Sequence, residues 1–187
     1  MPPPSSGGIH ILQFLNILEN EKWTLQDINR ASAIHIQAAA LQSVFADRSV
    51  YLGDPDFVKV PQKKLLSKEY ALQRRNEIPN QRARSADEVS PGSISQDQES
   101  LETTHISMMD SFGNAIASTQ TINGWMGSSF VIPNTGILMN NEMDDFSAQP
   151  GTANLFGALG GQANEIQARK TPLSSMSPTL VFNSKNE

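Results

Sequence analysis

The sequence predicts an α+β chain in which helices come first and β-strands follow. Up to about residue 78, apolar side chains recur at helical spacing, whereas from residue 103 onward strand-like alternation and turn residues predominate. The stretch between them has almost no large apolar side chain and is rich in polar residues. We therefore predict a mainly helical region at 1–102, a β-rich region at 103–187, and a mobile tether at about 79–101.

Composition limits the class of protein. The 187 residues, of which 38% are apolar, suffice for one domain with a sizeable core. A net charge of −5 gives no footprint for nucleic acid, and no apolar run is long enough for a membrane span. The absence of cysteine excludes thiol chemistry, and Met1–Pro4 lacks the features of a signal peptide, so the localisation is left open. The basic residues between Lys59 and Arg84 are expected to form a solvated surface.

Three helices are predicted in the first region, at about 9–19, 24–46 and 67–75. In the first helix, the apolar side chains at helical spacing are Ile11, Leu12, Leu15 and Leu18. The second begins at an N-cap formed by Thr24 with Asp27, and its buried candidates are Ile28, Ile34, Leu41 and Phe45. The serine that opens the third range is predicted to cap that helix.

The sequence predicts neither a metal nor a cofactor. His10 and His35 have no partners at metal-ligand spacing, so both are expected to be packed structural residues. Asp54 and Asp56 belong to a turn and lack the further oxygen ligands of a calcium loop. The glycines at 149–164 lack the spacing and the flanking residues of a phosphate-binding loop.

Residues 103–123 alternate as a β-hairpin whose turn sets the pairing. Gly113 suits the left-handed position of a three-residue loop, which would pair Asp110 with Asn114. Counting outward from that pair puts Thr121 opposite Thr103 on the same face, whereas a four-residue loop would turn Thr121 away.

Thr103 becomes a candidate nucleophile if the chain is cut before it. A threonine hydroxyl needs a base, and the α-amine of a new N-terminal threonine, with a pKa of about 7.7 to 8.0, can be that base. The simpler interpretation is that Thr103 and Thr104 only begin a β-strand.

Further elements are predicted downstream. A second hairpin joins 130–132 to 136–139, and a final strand covers 179–182. The carboxylates at 142–145 follow the second hairpin, and taken alone they resemble a solvated loop.

Long ordered motifs give the chain a family resemblance. Four of them are TTHISMMD at 103–110, DSFGNAIASTQTIN at 110–123, GILMNNEMDDFSAQPG at 136–151 and PLSSMSPTLVF at 172–182. Three upstream segments are PPPSSGG at 2–8, ADRSVYLGDPDF at 46–57 and LLSKEYALQRR at 65–75. Together they resemble the γ-glutamyltranspeptidase (glutathione hydrolase) family, across the end of its large subunit and the start of its small subunit.

The resemblance implies a fold and a maturation step. The fold is the αββα sandwich of N-terminal-nucleophile hydrolases, here partial and lacking both flanks. A precursor would cleave itself between Glu102 and Thr103, after which the large and small subunits stay paired. Thr103 would be the catalytic nucleophile and Thr121 the catalytic residue that orients it.

The resemblance also implies a substrate. Glutathione or another γ-glutamyl compound would donate its glutamyl group to water, an amino acid or a dipeptide. Glu142 and Asp145 match positions that hold the substrate ammonium, with Asn123 adding a hydrogen bond. Ser174 and Ser175 match the residues that bind the substrate carboxylate. The glycine-rich region at 149–164 matches part of a lid over the substrate, in which Phe156 stands at a position often held by an aromatic residue.

Two alternatives stay open. The family's oxyanion-hole glycine pair is expected beyond Glu187, and its carboxylate-binding arginine is expected before Met1. The chain therefore resembles an internal piece of a family member. The first alternative is that this piece, when alone, is a truncated and catalytically inactive remnant. An acylase of the same fold acting on another N-acyl amide is the second alternative. The residues suited to a glutamyl head group argue against the acylase.

Overall fold

The chain combines helices with a small antiparallel sheet. The computed structural model describes residues 1–85, 88–89, 103–149, 151–157, 159–183 and 185. Its helices are α1 (Gly7–Leu18), α2 (Ala31–Tyr51), α3 (Gln62–Leu65) and α4 (Lys68–Asn76). Its strands are β1 (Thr104–Met109) and β2 (Ala115–Gln120), and short 3-10 helices cover Glu142–Asp145 and Gln162–Asn164. No helix in these ranges is long and apolar enough to cross a membrane.

Helix α1 packs on α2 and α4 through a different face from the one that its apolar periodicity predicts. Its buried side chains are Ile9, Gln13 and Ile17, spaced four residues apart. Ile11, Leu12 and Leu15 of the predicted apolar set are instead 39%, 51% and 53% exposed. Gln13 is tolerated on the buried face because its amide donates a hydrogen bond to the Asp47 carboxylate.

Helix α2 begins seven residues after the predicted N-cap. The Thr24 amide and hydroxyl both donate to Asp27 Oδ2, at 2.9 and 2.7 Å, and this closes a local turn instead of starting the helix. The buried face is lined by small or β-branched residues, namely Ala33, Ile36, Ala40 and Val44. The prediction that Ile28, Ile34 and Leu41 are buried is therefore wrong. Ile28 lies in the turn before α2, and the alanines let α1 and α4 pack on the face opposite Ile34 and Leu41.

The basic residues around α4 do not form the uniformly solvated surface that the sequence predicts. Arg74 and Arg84 are 3% and 6% exposed. Arg74 donates to the Ser43 carbonyl and Arg84 to the Ala39 carbonyl, at 2.9 and 2.8 Å, because small side chains leave these α2 carbonyls accessible. Val89, which belongs to the predicted tether, is also buried, while residues 86–87 and 90–102 lie outside the described ranges.

The hairpin has the predicted register. Met109 pairs with Ala115, and the Asp110 amide donates to the Asn114 carbonyl at 2.9 Å. Gly113 closes the three-residue loop with φ +86°, a conformation that favours glycine. At the other end Thr104 pairs with Gln120, so Thr103 lies opposite Thr121. The Ser67 cap is likewise confirmed, since its hydroxyl accepts the Tyr70 amide at 3.1 Å.

The remaining strand predictions are met only in part. The second hairpin pairs as predicted, although it forms only one bridge, between Val131 and Leu138. The Ile132 amide donates to the Ile137 carbonyl and the Met139 amide to the Phe130 carbonyl, each at 2.9 Å. No strand forms at 179–182, where the Thr179 carbonyl accepts a hydrogen bond from the Ser107 hydroxyl at 3.0 Å. The prediction of a final strand is therefore wrong, because a strand needs a backbone partner.

Candidate functional site

A cavity of about 320 Å³ lies between the open end of the hairpin, the acidic 3-10 helix and the segment at 174–177. This volume is within the range of small-molecule sites. Its wall includes every described residue that the sequence analysis assigned to catalysis or substrate binding, namely Thr103, Thr121, Asn123, Glu142, Asp145, Ser174 and Ser175. Glu102, the other side of the predicted cleavage site, lies outside the described residues.

The two threonines form a hydroxyl pair at the cavity wall. Thr103 Oγ1 donates to Thr121 Oγ1 at 3.3 Å. The backbone amide of Asn123 donates to the same Thr121 oxygen at 3.0 Å. Asn123 has φ +72°, a left-handed conformation that asparagine tolerates better than most residues and that aims its amide back at Thr121. The Thr121 hydroxyl is therefore held in place beside the Thr103 oxygen.

Glu142 and Asp145, which we call the acidic pair, lie on one short 3-10 helix. The turn before it is fixed by Asn141, whose side-chain oxygen accepts the Gly124 amide at 2.8 Å and whose carbonyl accepts from the Asn123 side chain at 3.2 Å. Burial raises the pKa of Glu142. Burial, together with the neighbouring Glu142 carboxylate, raises the pKa of Asp145 to about 7. The pair therefore favours a cationic ligand or a shared proton over two unpaired charges.

Residues 171–177, which we call the serine segment, are held by the first part of the chain. The Ser6 amide donates to the Ser174 carbonyl at 2.7 Å, and the Ser5 hydroxyl donates to the Met176 carbonyl. A Cβ on Gly7 would lie 2.6 Å from Ser177 Cβ, so only glycine allows this approach. Ser174 and Ser175 thus reach the cavity from a backbone that is hydrogen-bonded to the residues just before α1.

Some wall residues were not predicted as site residues. His105 bridges Thr119 Oγ1 through Nδ1 and Ser107 Oγ through Nε2, each at 2.8 Å. Strand periodicity could have predicted that His105 and Thr119 line the site, because residues two apart along a strand lie on the same face. His105 therefore shares the face of Thr103, and Thr119 shares that of Thr121. Phe45 also lines the cavity, although it was predicted as a core residue of α2. Phe156, the predicted lid residue, is on the wall as well.

The other two histidines have structural environments. His35 Nε2 lies 2.7 Å from the Pro79 carbonyl. The His10 ring contacts the Phe45 ring, with centroids 5.1 Å apart, and its buried Nε2 has no hydrogen-bond partner among the described residues. Burial and the nearby Arg48 charge lower the pKa of His10 to about 3. Within the described ranges, no group of three or more His, Cys, Asp or Glu side chains is arranged to hold a metal ion.

Known proteins similar to this chain include two kinds of proenzyme. It is 51% identical over 181 residues to the glutathione hydrolase proenzyme of Escherichia coli (strain K12), covering 97% of this chain and 31% of that protein. It is 44% identical over 181 residues to the acylase ACY 1 proenzyme of Pseudomonas sp. (strain SE83), covering 97% and 30%. The chain thus spans about a third of the length of these relatives.

A solved structure and a family profile extend the comparison. The structure of cephalosporin acylase from Bacillus halodurans superposes with a TM-score of 0.70 at 27% identity, covering 94% of this chain and 28% of that one. The profile described as Gamma-glutamyltranspeptidase matches residues 1–187. Since that match covers the whole sequence, the chain belongs to the gamma-glutamyltranspeptidase family.

Proposed function

We propose that this chain is the part of a self-cleaving γ-glutamyltransferase and glutathione hydrolase that carries the nucleophile and most of the glutamyl-binding residues. The observation that supports this proposal most is the hydroxyl pair of Thr103 and Thr121, 3.3 Å apart, on a cavity that also holds the acidic pair. The fold of the whole protein would be the αββα sandwich of N-terminal-nucleophile hydrolases.

The first step is maturation. Thr103 Oγ attacks the carbonyl carbon of Glu102, its proton passes to the departing amide nitrogen, and the peptide becomes an ester with a free Thr103 amine. Water then hydrolyses the ester, which releases the Glu102 carboxylate and restores the Thr103 hydroxyl. Regions 1–102 and 103–187 would then belong to the paired large and small subunits.

The second step is turnover. The Thr103 amine takes the proton of its own hydroxyl, and Oγ attacks the carbonyl carbon of the γ-glutamyl amide. The C–N bond then breaks, the Thr103 ammonium gives its proton to the leaving nitrogen, and an acyl-enzyme and a free amine product result. Water, an amino acid or a dipeptide then accepts the glutamyl group. Thr121, which accepts a hydrogen bond from Thr103, keeps the attacking oxygen oriented towards the cavity.

The head group of the donor matches the wall chemistry. A γ-glutamyl group carries an ammonium and a carboxylate on one carbon. The acidic pair suits the ammonium, and the hydroxyls of Ser174 and Ser175 suit the carboxylate. The Ser174 oxygen already accepts the Met176 amide at 3.0 Å, which directs its own proton away from the backbone.

An acylase acting on a different N-acyl amide is the second candidate. The 44% identity to an acylase proenzyme and the TM-score of 0.70 to cephalosporin acylase favour it. An acyl group without an ammonium would leave the acidic pair with only the nearby Arg48 charge, which offsets the raised pKa of Asp145 only in part, and this argues for the glutamyl donor.

Self-cleavage tests the proposal. A precursor of the relatives' full length that contains residues 1–187 should yield two pieces by intact-mass analysis. Thr103→Ala should remain a single piece, because no hydroxyl is left to attack Glu102. Thr104→Ala is the matched control and should cleave normally, since Thr104 pairs with Gln120 and not with Thr121.

Equal cleavage in Thr103→Ala and the parent would remove Thr103 as the nucleophile. The mature protein should also hydrolyse γ-glutamyl-p-nitroanilide faster than glutaryl-p-nitroanilide, which lacks the ammonium. The reverse preference would favour the acylase.

A further inference from the structure

The serine segment has no regular secondary structure, so its backbone groups find partners elsewhere in the chain. Asp54 Oδ2 accepts the Thr171 amide at 2.8 Å. Asn164 Oδ1 accepts the Leu173 amide at 3.0 Å. The Leu173 carbonyl accepts from Arg48 at 3.3 Å. The position of Ser174 is thus determined by side chains that sequence patterns did not connect with it.

Asn164 has a second contact, on the other side of the site. Its side-chain Nδ2 donates to the Asp145 backbone carbonyl at 2.7 Å. Its backbone carbonyl accepts a hydrogen bond from the Ser147 backbone amide at 2.9 Å. The residue is 3% exposed, so water does not compete for these bonds. One buried amide therefore bonds to the residue that carries the ammonium-binding carboxylate and to the residue before Ser174.

We propose that Asn164 is a positioning residue that fixes the spacing between Asp145 and Ser174. This inference rests on the proposed function, because that spacing matters when one ligand carries an ammonium and a carboxylate on the same carbon. The side-chain amide is suited to the task because it is planar and presents a donor and an acceptor at a fixed separation. A shift of either contact would move one subsite relative to the other.

The sequence supplies no pattern that would identify this role. Asn164 ends a three-residue 3-10 helix after a glycine-rich stretch, and its partners lie 19 residues before it and nine after it. Asparagine at such a place is ordinarily a turn residue. The bridge exists only because the 3-10 helices at 142–145 and 162–164 are brought side by side, with Ser147 bridging Glu165.

The test uses the full-length precursor that contains residues 1–187, with Asn164→Asp and Asn164→Ser. Asn164→Asp retains the acceptor for the Leu173 amide but loses the donor to Asp145. Competitive inhibition of γ-glutamyl-p-nitroanilide hydrolysis is measured with L-glutamate and with glutarate, which lacks the ammonium. Asn16→Ala is the control, because Asn16 also bridges two groups, the Leu66 carbonyl and Lys68, away from the cavity.

Both Asn164 variants should weaken inhibition by L-glutamate by about tenfold or more, with a much smaller effect on glutarate. Asn16→Ala should change neither inhibitor. The positioning role would be overturned if the variants lost affinity for both inhibitors equally, or lost it for neither. It would also be overturned if neither variant cleaved itself or showed a cooperative unfolding transition. An unsubstituted protein that cleaves itself but does not turn over γ-glutamyl donors would instead reject the proposed function, and the inference with it.

Discussion

Asp145 has the most perturbed acidic environment among the residues of the cavity. Burial and the Glu142 carboxylate raise its pKa from 3.8 to about 7, and Arg48 opposes this shift only in part. Since the folded pKa exceeds the unfolded one, the stability that the protonated group contributes is full at low pH and is lost as pH rises through about 7. A bound ammonium would stabilise the ionised Asp145 carboxylate, so ligand binding and the ionisation of Asp145 are linked.

This linkage predicts a pH dependence for ligand binding. Under the proposed function, inhibition of the mature full-length protein by L-glutamate should tighten as pH rises from about 5.5 to about 7.5, because protons then stop competing with the ammonium. Asp145→Asn should weaken inhibition by about 10- to 150-fold and flatten the profile. The measurement is the inhibition constant of L-glutamate at several pH values.

Asp144→Asn is the matched control for that experiment. The Asp144 carboxylate accepts the Leu155 amide at 2.9 Å and does not line the cavity, and an asparagine oxygen can still accept that bond. The profile should therefore keep its rise with pH, displaced slightly to lower pH because the Asp144 charge is a minor cause of the raised pKa of Asp145. A flat profile in the parent itself would contradict the assignment of Asp145.

At the scale of elements, two features hold the site in place. The hairpin loop at 111–113 determines which residues of β1 and β2 oppose each other, and hence that Thr121 faces Thr103. The packing of α1 on the alanine-rich face of α2 positions Ser5 and Ser6 against the serine segment. A change in either element should therefore act on the site from a distance.

The alanine face of α2 should not accept a larger side chain. Ala40 is fully buried, and Ala40→Leu should destabilise the fold by about 1 to 3 kcal/mol through overpacking. Ala38→Leu, on the exposed side of the same helix, should be nearly neutral. Urea denaturation of both variants measures the difference, and equal stabilities would contradict the observed packing.

The hairpin loop should depend on the backbone conformation of Gly113 rather than on the space around it. A Cβ at this position would meet no heavy atom of the described residues within 4 Å, but the φ of Gly113 is +86°. Gly113→Val should cost about 1 to 2 kcal/mol, whereas Gly113→Asn should cost less because asparagine tolerates the left-handed region. Thermal unfolding of the two variants should rank them in that order.

At the scale of the whole molecule, residues far apart in sequence close the structure. Ser6 bonds to Ser174, Arg48 to Leu173, and Asp54 to Thr171. His10 packs on Phe45 and lies near the Arg48 charge, and its buried Nε2 has no hydrogen-bond partner in the part of the chain that the structure describes. The junction is therefore sensitive to protonation.

Acid should weaken the fold partly through His10. Its pKa is lowered from 6.5 to about 3, so the stability that it contributes is present above the unfolded pKa and is lost as pH falls towards about 3. His10→Phe keeps a ring against Phe45 and removes the titrating nitrogen. The fall in Tm between about pH 7 and about pH 4.5 should be smaller in this variant than in the parent, and an equal fall would contradict the role of His10.

Features that depend on neighbouring residues could be predicted from the sequence alone. The hairpin register follows from the position of Gly113, the α4 cap from Ser67, and the alignment of Thr103 with Thr121 from counting along two strands. The motifs that carry the family resemblance likewise identified the residues that meet on the cavity wall.

Tertiary packing was needed to show which helix faces are buried, that Arg74 and Arg84 lie inside, and that Asn164 bridges the two sides of the site. Apolar periodicity could not identify the buried face of α1, because several of its faces are apolar and the partner surface makes the choice. Buried arginines and bridging amides depend on carbonyls supplied from elsewhere in the chain. Such contacts exist only after the chain has packed.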